Sequence, residues 1–230
     1  MKSSGVLNLD EWYCKEITEA SYNELITLAK WINKIYGYYP FIIGGWAVYS
    51  YAPSLGSRDI DIVFPTRESV EKVLMPYYHM RDYQEEGLFT KQYYREIQTE
   101  KGKEKIMLDA CSFADRNILH ENKDVEIPWD LIQQYYQEWQ IQKDLIVRVP
   151  QIELLLLYKM KALCDRRYDL QHSTISAINK AYINSKIWKD EHDIRKLSEK
   201  RIDREKTRQI AESTHFQEFY QREEKRLKIL

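Results

Sequence analysis

Residues 41–63 read FIIGGWAVYSYAPSLGSRDIDIV. Phe41, Ile42 and Ile43 make a short apolar run that stops at Gly44-Gly45, and Trp46 to Ala52 then suit a short helix closed by Pro53. The order is strand, glycine turn, helix. After a loop with Ser54, Gly56 and Ser57, the run Asp59-Ile60-Asp61-Ile62-Val63 alternates acid with apolar residue. That is the period of a strand, and it sends both carboxylates to one face.

Working outward, Ser21 followed by Glu24 reads as a capping box for a helix whose Leu25, Leu28, Ile32 and Ile35 recur at helical spacing until Gly37 and Pro40. Thr66 is placed to cap a helix running to Leu74 and ending before Pro76. The segments Phe89 to Ile97 and Ile106 to Ser112 read as a hairpin turning around Gly102. Pro128 to Trp139 is expected to be helical, and Leu145 to Val149 a last strand before Pro150 opens a new helix. From Gln151 onward there is no glycine and no proline, and helical patterns run to the end. The expectation is an α/β chain, with a mixed α+β sheet in a first domain (1–149) and a helical second domain (150–230).

Acidic and basic residues nearly cancel, 36 against 35, so global charge argues for neither a nucleic-acid partner nor an acidic substrate. Cys14, Cys111 and Cys164 are odd in number and widely spaced, which points to reduced thiols and a cytoplasmic setting rather than a disulfide framework or zinc cluster. The longest apolar stretch, Leu154 to Leu157, is too short to cross a bilayer, so no membrane partner is expected.

Carboxylates at i and i+2 on a strand are suited to holding one or two Mg²⁺ ions, hard cations that share a few acids with substrate phosphates. Asp59 and Asp61 are the candidates. Asp109, in the apolar context Ile106-Met107-Leu108-Asp109-Ala110, is the candidate third ligand, because a metal offsets the cost of a charge among apolar neighbours. Gly44 and Gly45 let the backbone approach a phosphate, and the helix start beyond them offers free amides. Alone, a Gly-Gly pair is usually just a turn, and an isolated D-x-D is often a strand end facing water. Arg58 can contact a triphosphate or pair with a neighbouring acid.

Together G-G-W-A-V-Y, S-R-D-I-D-I and L-D-A resemble the nucleotidyltransferase superfamily, whose pattern is glycine turn, D-x-D and third carboxylate. Lys159-Met160-Lys161-Ala162-Leu163-Cys164-Asp165-Arg166 looks like the K-L-x-A-L-x-x-R motif of the abortive-infection and toxin-type branch, and Lys189-Asp190 resembles its last motif. Trp46 after the second glycine and Lys189 in place of arginine depart from that pattern. The resemblance implies the nucleotidyltransferase fold with a C-terminal helical domain, an NTP as substrate, and two Mg²⁺ ions on Asp59, Asp61 and Asp109. It implies nucleotide contacts from Gly44, Gly45, Arg58, Lys159 and Arg166, and a catalytic role for Asp190 beside the three metal-holding acids. NMP would pass to an acceptor, whether RNA, protein or small molecule, with release of pyrophosphate. A neutralising antitoxin-like partner protein belongs to the same expectation, and a fold relative that binds nucleotide without transferring it is the alternative. Lys159, Lys161, Arg166 and Arg167 also suit the solvated face of an amphipathic helix. The pairs Tyr77-Tyr78, Tyr93-Tyr94 and Tyr135-Tyr136 read as packing residues before base-stacking ones.

Overall fold

The computed structural model describes residues 13–79, 85–86, 92–100, 102–172 and 177–229. Among these, 15–116 and 128–151 form one compact unit, and 13–14, 117–127 and 152–229 form another. The boundary expected as a single cut near Pro150 is therefore crossed more than once, because 117–127 packs with the helices. Leu119 and Ile127 are fully buried there, and the His120 amide donates to Asp165 at 2.8 Å.

The first unit is a mixed α/β structure. Its elements are α1 (Lys15–Tyr36), β1 (Phe41–Ile42), α2 (Gly44–Tyr51), β2 (Ile60–Phe64), α3 (Arg67–His79), β3 (Glu85–Glu86), β4 (Gln92–Thr99), β5 (Gly102–Ser112), a 3₁₀ turn (Trp129–Gln133), β6 (Tyr136–Gln142) and β7 (Leu145–Pro150). The seven strands lie in the order β3-β4-β5-β2-β1-β7-β6. β2 runs parallel to β5 and antiparallel to β1, and β1 runs parallel to β7. Ile42, Ile60 and Ile62 from the central strands and Leu25, Leu28 and Ile32 from α1 are fully buried, each worth about 1.5–3 kcal/mol of apolar burial.

Three local expectations give way to tertiary partners. α1 begins at Lys15, so Ser21 caps nothing. Its hydroxyl accepts from the Trp46 indole at 3.1 Å, while buried Glu24 accepts from Tyr77 at 2.7 Å and from Arg95 at 2.6 Å. α3 continues to His79 with Pro76 inside it. Proline cannot donate to the carbonyl four residues back, and that carbonyl, Lys72 O, instead accepts the Tyr36 hydroxyl at 2.7 Å. Finally, Pro128 to Trp139 is not a helix. The 3₁₀ turn leads into β6, which pairs antiparallel with β7 (Gln137 with Val149, Trp139 with Val147), so a polar edge strand stands where helix was expected. The hairpin of β4 and β5 pairs Tyr94 with Met107 and Thr99 with Gly102; Phe89 to Lys91 lie outside the described residues. Tyr77, Tyr78, Tyr93 and Tyr94 are buried, with Tyr78 and Tyr93 stacked at 5.6 Å.

The second unit contains α4 (Ile152–His172), α5 (Ala177–Ser198), α6 (Arg204–Ser213) and α7 (Gln217–Leu227). α4 is its centre, with Leu154, Leu155, Leu157, Met160 and Leu163 fully buried. Such burial around the whole circumference marks a helix surrounded by others. Among the described residues no helix is long and apolar enough to cross a membrane.

Candidate functional site

The parallel register of β2 and β5 sets Asp61 directly beside Asp109. Neighbouring strands lie about 4.8 Å apart and residues in register point to the same face, so the two carboxylates are neighbours. Asp61 is partly buried and Asp109 exposed. β2 begins at Ile60, which leaves Asp59 just ahead of the first paired residue rather than within the strand.

The glycine turn closes on this strand. The Ile43 amide donates to the Asp61 carbonyl at 3.0 Å, and Gly44 follows at φ +62°. A β-carbon on Gly44 would stand 1.8 Å from Asp61 Oδ2, and one on Gly45 2.8 Å from the Ser57 side chain. The glycines thus make room for Asp61 and Ser57, a local reason for them that the sequence did not disclose. Ile43, at the N-cap of α2, offers no side-chain cap. The positive end of the α2 dipole therefore faces a carboxylate, a favourable arrangement.

Arg58 is buried and pairs with Glu104 of β5 at 2.7 Å, the acid partner that was one of its two expected roles. The thiol of Cys111, two residues beyond Asp109, is raised well above its usual range, first by burial and then by the charges of Asp115, Asp61 and Asp109. Carboxylate oxygens are the donors Mg²⁺ prefers. Among the described residues, no three His, Cys, Asp or Glu side chains already form a metal-holding group. What the sheet brings together is the pair Asp61 and Asp109.

Lys159, Arg166 and Asp190 meet within the helical unit. Lys159 lies 3.2 Å from Asp190 and 2.8 Å from Asp193, and Arg166 contacts Asp190. Lys189 pairs with Asp193, and both are buried, as is Asp190. Lys161 is bound to Asp165 at 2.6 Å, and Arg167 to Glu191 at 2.6 Å and to Glu223. The expected solvated face is largely a buried ionic network. Glu104 and Ser57 were not read from the sequence as members of either cluster. The i, i+4 spacings of Lys189 with Asp193 and of Lys161 with Asp165 are signals of such pairs that the sequence carries.

Asp193 is shared by two ammonium groups. Burial opposes its charge, but Lys159 and Lys189 outweigh that and hold its carboxyl below the ordinary value. Lys189 has only part of one carboxylate; burial, aided by repulsion from Lys159, draws it down to about 8 despite Asp193. An unfolded lysine titrates near ~10.4, so between about pH 8 and 10.4 the unfolded chain holds a proton the folded one lacks. Stability from this group therefore rises with pH across that window. For Asp193, also lowered, the sign is the same in a more acidic window: its contribution is complete above an unfolded pKa of about 3.9 and is lost as pH falls through the lower folded value. Thermal melts at pH 7.5 and 9.5 should show the wild type gaining on a Lys189→Met variant at the higher pH. An unchanged difference would count against a depressed lysine.

A scan of protein-family models and a search of curated proteins both find no match to the chain. The arrangement itself defines a mixed α/β sheet carrying two adjacent acids against a glycine-started helix.

Proposed function

We propose that the chain is a Mg²⁺-dependent nucleotidyltransferase that passes NMP from an NTP to an acceptor hydroxyl and releases pyrophosphate. The observation that carries this reading is the register of Asp61 with Asp109, with the Gly44-Gly45 helix start closed against Asp61. Asp61 and Asp109, with Asp59 two residues before Asp61, are the residues to hold Mg²⁺, which when bound neutralises triphosphate charge. The α2 amides at Gly44 and Gly45 orient the phosphates. Asp109, the exposed member of the pair, takes the proton of the acceptor hydroxyl as its oxygen bonds to the α-phosphorus and the bond to pyrophosphate breaks. Lys159 and Arg166 enter as triphosphate contacts, and Asp190 as a catalytic assistant, on the family resemblance alone. The acceptor is an RNA, a protein or a small molecule, and a neutralising antitoxin-like partner belongs with the first two.

A module that binds nucleotide without transferring it is the second reading. It is favoured by one observation: Asp190 is buried and engaged by both Lys159 and Arg166, the place of an ion-pair partner rather than a base.

Calorimetric titration of the four NTPs with Mg²⁺ tests the first reading. Binding is expected in the wild type and should disappear in the Asp59→Asn, Asp61→Asn double variant. Absence of binding at millimolar NTP would sink the enzyme reading. Binding without label transfer from α-labelled NTP to RNA, protein or small-molecule fractions would favour the module.

A further inference from the structure

The helical unit contains a cavity of about 220 Å³ that plays no part in the roles above. Its buried lining includes Leu156 of α4 and Tyr220 and Glu224 of α7. Its exposed lining includes Lys200 and Arg201, which follow α5, and Arg204, the first residue of α6.

These three cations stand apart from their neighbours. Lys196 is paired with Glu199 at 2.8 Å, Lys206 lies 3.8 Å from Glu153, and Arg222 is paired with Glu121 at 2.8 Å. Among the described residues, no ion pair engages Lys200, Arg201 or Arg204. The nearby acids are spent elsewhere: Asp203 caps α6 through the Lys206 amide at 3.0 Å, and Glu224, the one acid of the lining, accepts the Tyr220 hydroxyl. Three cations against one carboxylate leave the lining with a net charge of plus two.

We propose that this cavity binds a phosphate dianion, free or as the head of a small phosphomonoester. The charge of such a group, close to minus two at neutral pH, matches the lining. Guanidinium forks are shaped for paired hydrogen bonds to phosphate oxygens, and Arg201 and Arg204 supply two. Size narrows the ligand further. The volume exceeds the roughly 150 Å³ that admits benzene, but falls short of the roughly 300 Å³ at which drug-sized pockets begin. It has room to enclose a phosphate with a sugar-sized group but not a whole NTP, and none of its lining residues has a part in the nucleotide chemistry proposed above.

The test is calorimetry on the full chain at low salt and pH 7.5, with inorganic phosphate, ribose 5-phosphate and, as neutral control, ribose. Both phosphates should bind and ribose should not. Equal affinity for the two identifies the free ion as ligand, and at least about tenfold tighter binding of the ester identifies the monoester. Affinity for the ester should fall below about pH 6, where its dianion takes up a proton. The Arg201→Ala, Arg204→Ala double variant should lose binding by about a hundredfold, and Arg201→Gln alone by about tenfold. Because no ion pair among the described residues engages these cations, the variants should melt no lower than wild type without ligand. The Asp59→Asn, Asp61→Asn variant should bind ribose 5-phosphate normally, which separates this site from the metal-dependent one. Failure of both phosphates to bind at millimolar concentration, or undiminished binding in both arginine variants, overturns the proposal.

Discussion

Gly44→Ala is expected to lower the unfolding free energy by about 3 kcal/mol or more, while Gly37→Ala should cost only about 1 kcal/mol. Both glycines adopt left-handed backbone, at φ +62° and +68°, so both substitutions carry the strain of a β-carbon in that region. They differ in what the new methyl meets. At Gly37 nothing lies within 4 Å, whereas at Gly44 the Asp61 carboxylate occupies the place, with Oδ2 at 1.8 Å. Asp61 must move, and with it the register partner of Asp109. Urea denaturation of the two variants measures the difference. Equal losses would mean that the glycine turn does not press on Asp61, and the site described here would lose its central contact.

Asp193→Ala should cost about 3–5 kcal/mol, because it strips a buried carboxylate from two ammonium groups at once. Lys189 loses its acid partner and Lys159 keeps only Asp190. A double variant, Lys189→Met with Asp193→Leu, removes one charge of each sign and should recover most of that loss, since an apolar pair of similar volume often replaces a buried ion pair with little penalty. Chemical denaturation of Lys189→Met, Asp193→Leu and the double gives the coupling directly, with Asp193→Ala measured beside them. If Asp193→Ala costs under about 1 kcal/mol, the network is solvated and the depressed Lys189 pKa is excluded with it.

Strand, glycine turn, helix and acidic strand were legible from residues 41–63 because each rests on a local period or a local turn. The neighbourhood of Asp61 and Asp109 was legible only as an expectation. Parallel pairing of strands 48 positions apart (109 − 61) leaves no mark in either strand, and only the register reveals which residues meet. Other signals were local and misleading. Ser21 and Glu24 have the spacing of a helix cap, but Trp46, Tyr77 and Arg95 claim their side chains. Pro76 suggested a helix end, but the Tyr36 hydroxyl, from another helix, donates to the carbonyl left without its helical donor. The β6 segment alternates weakly because an edge strand needs little apolar face. In the second unit, charged residues at helical spacing read as solvated, and burial by neighbouring helices cannot be seen from one helix alone.

β1 has only two residues, yet it lies between β2 and β7 in the middle of the sheet, and its Phe41 pairs with Arg148, a separation of 107 positions (148 − 41). The β4–β5 and β6–β7 hairpins need only short loop closures, whereas this strand must wait for both flanks, since closure entropy grows with the length of chain enclosed. The strand leading into Gly44 is thus set to dock late in folding and to detach early in partial opening. In hydrogen exchange, the amides of Ile42 and Ile43 would report sub-global opening at a lower free energy than the β4–β5 ladder, and a ligand seated on the glycine turn would slow exchange there first.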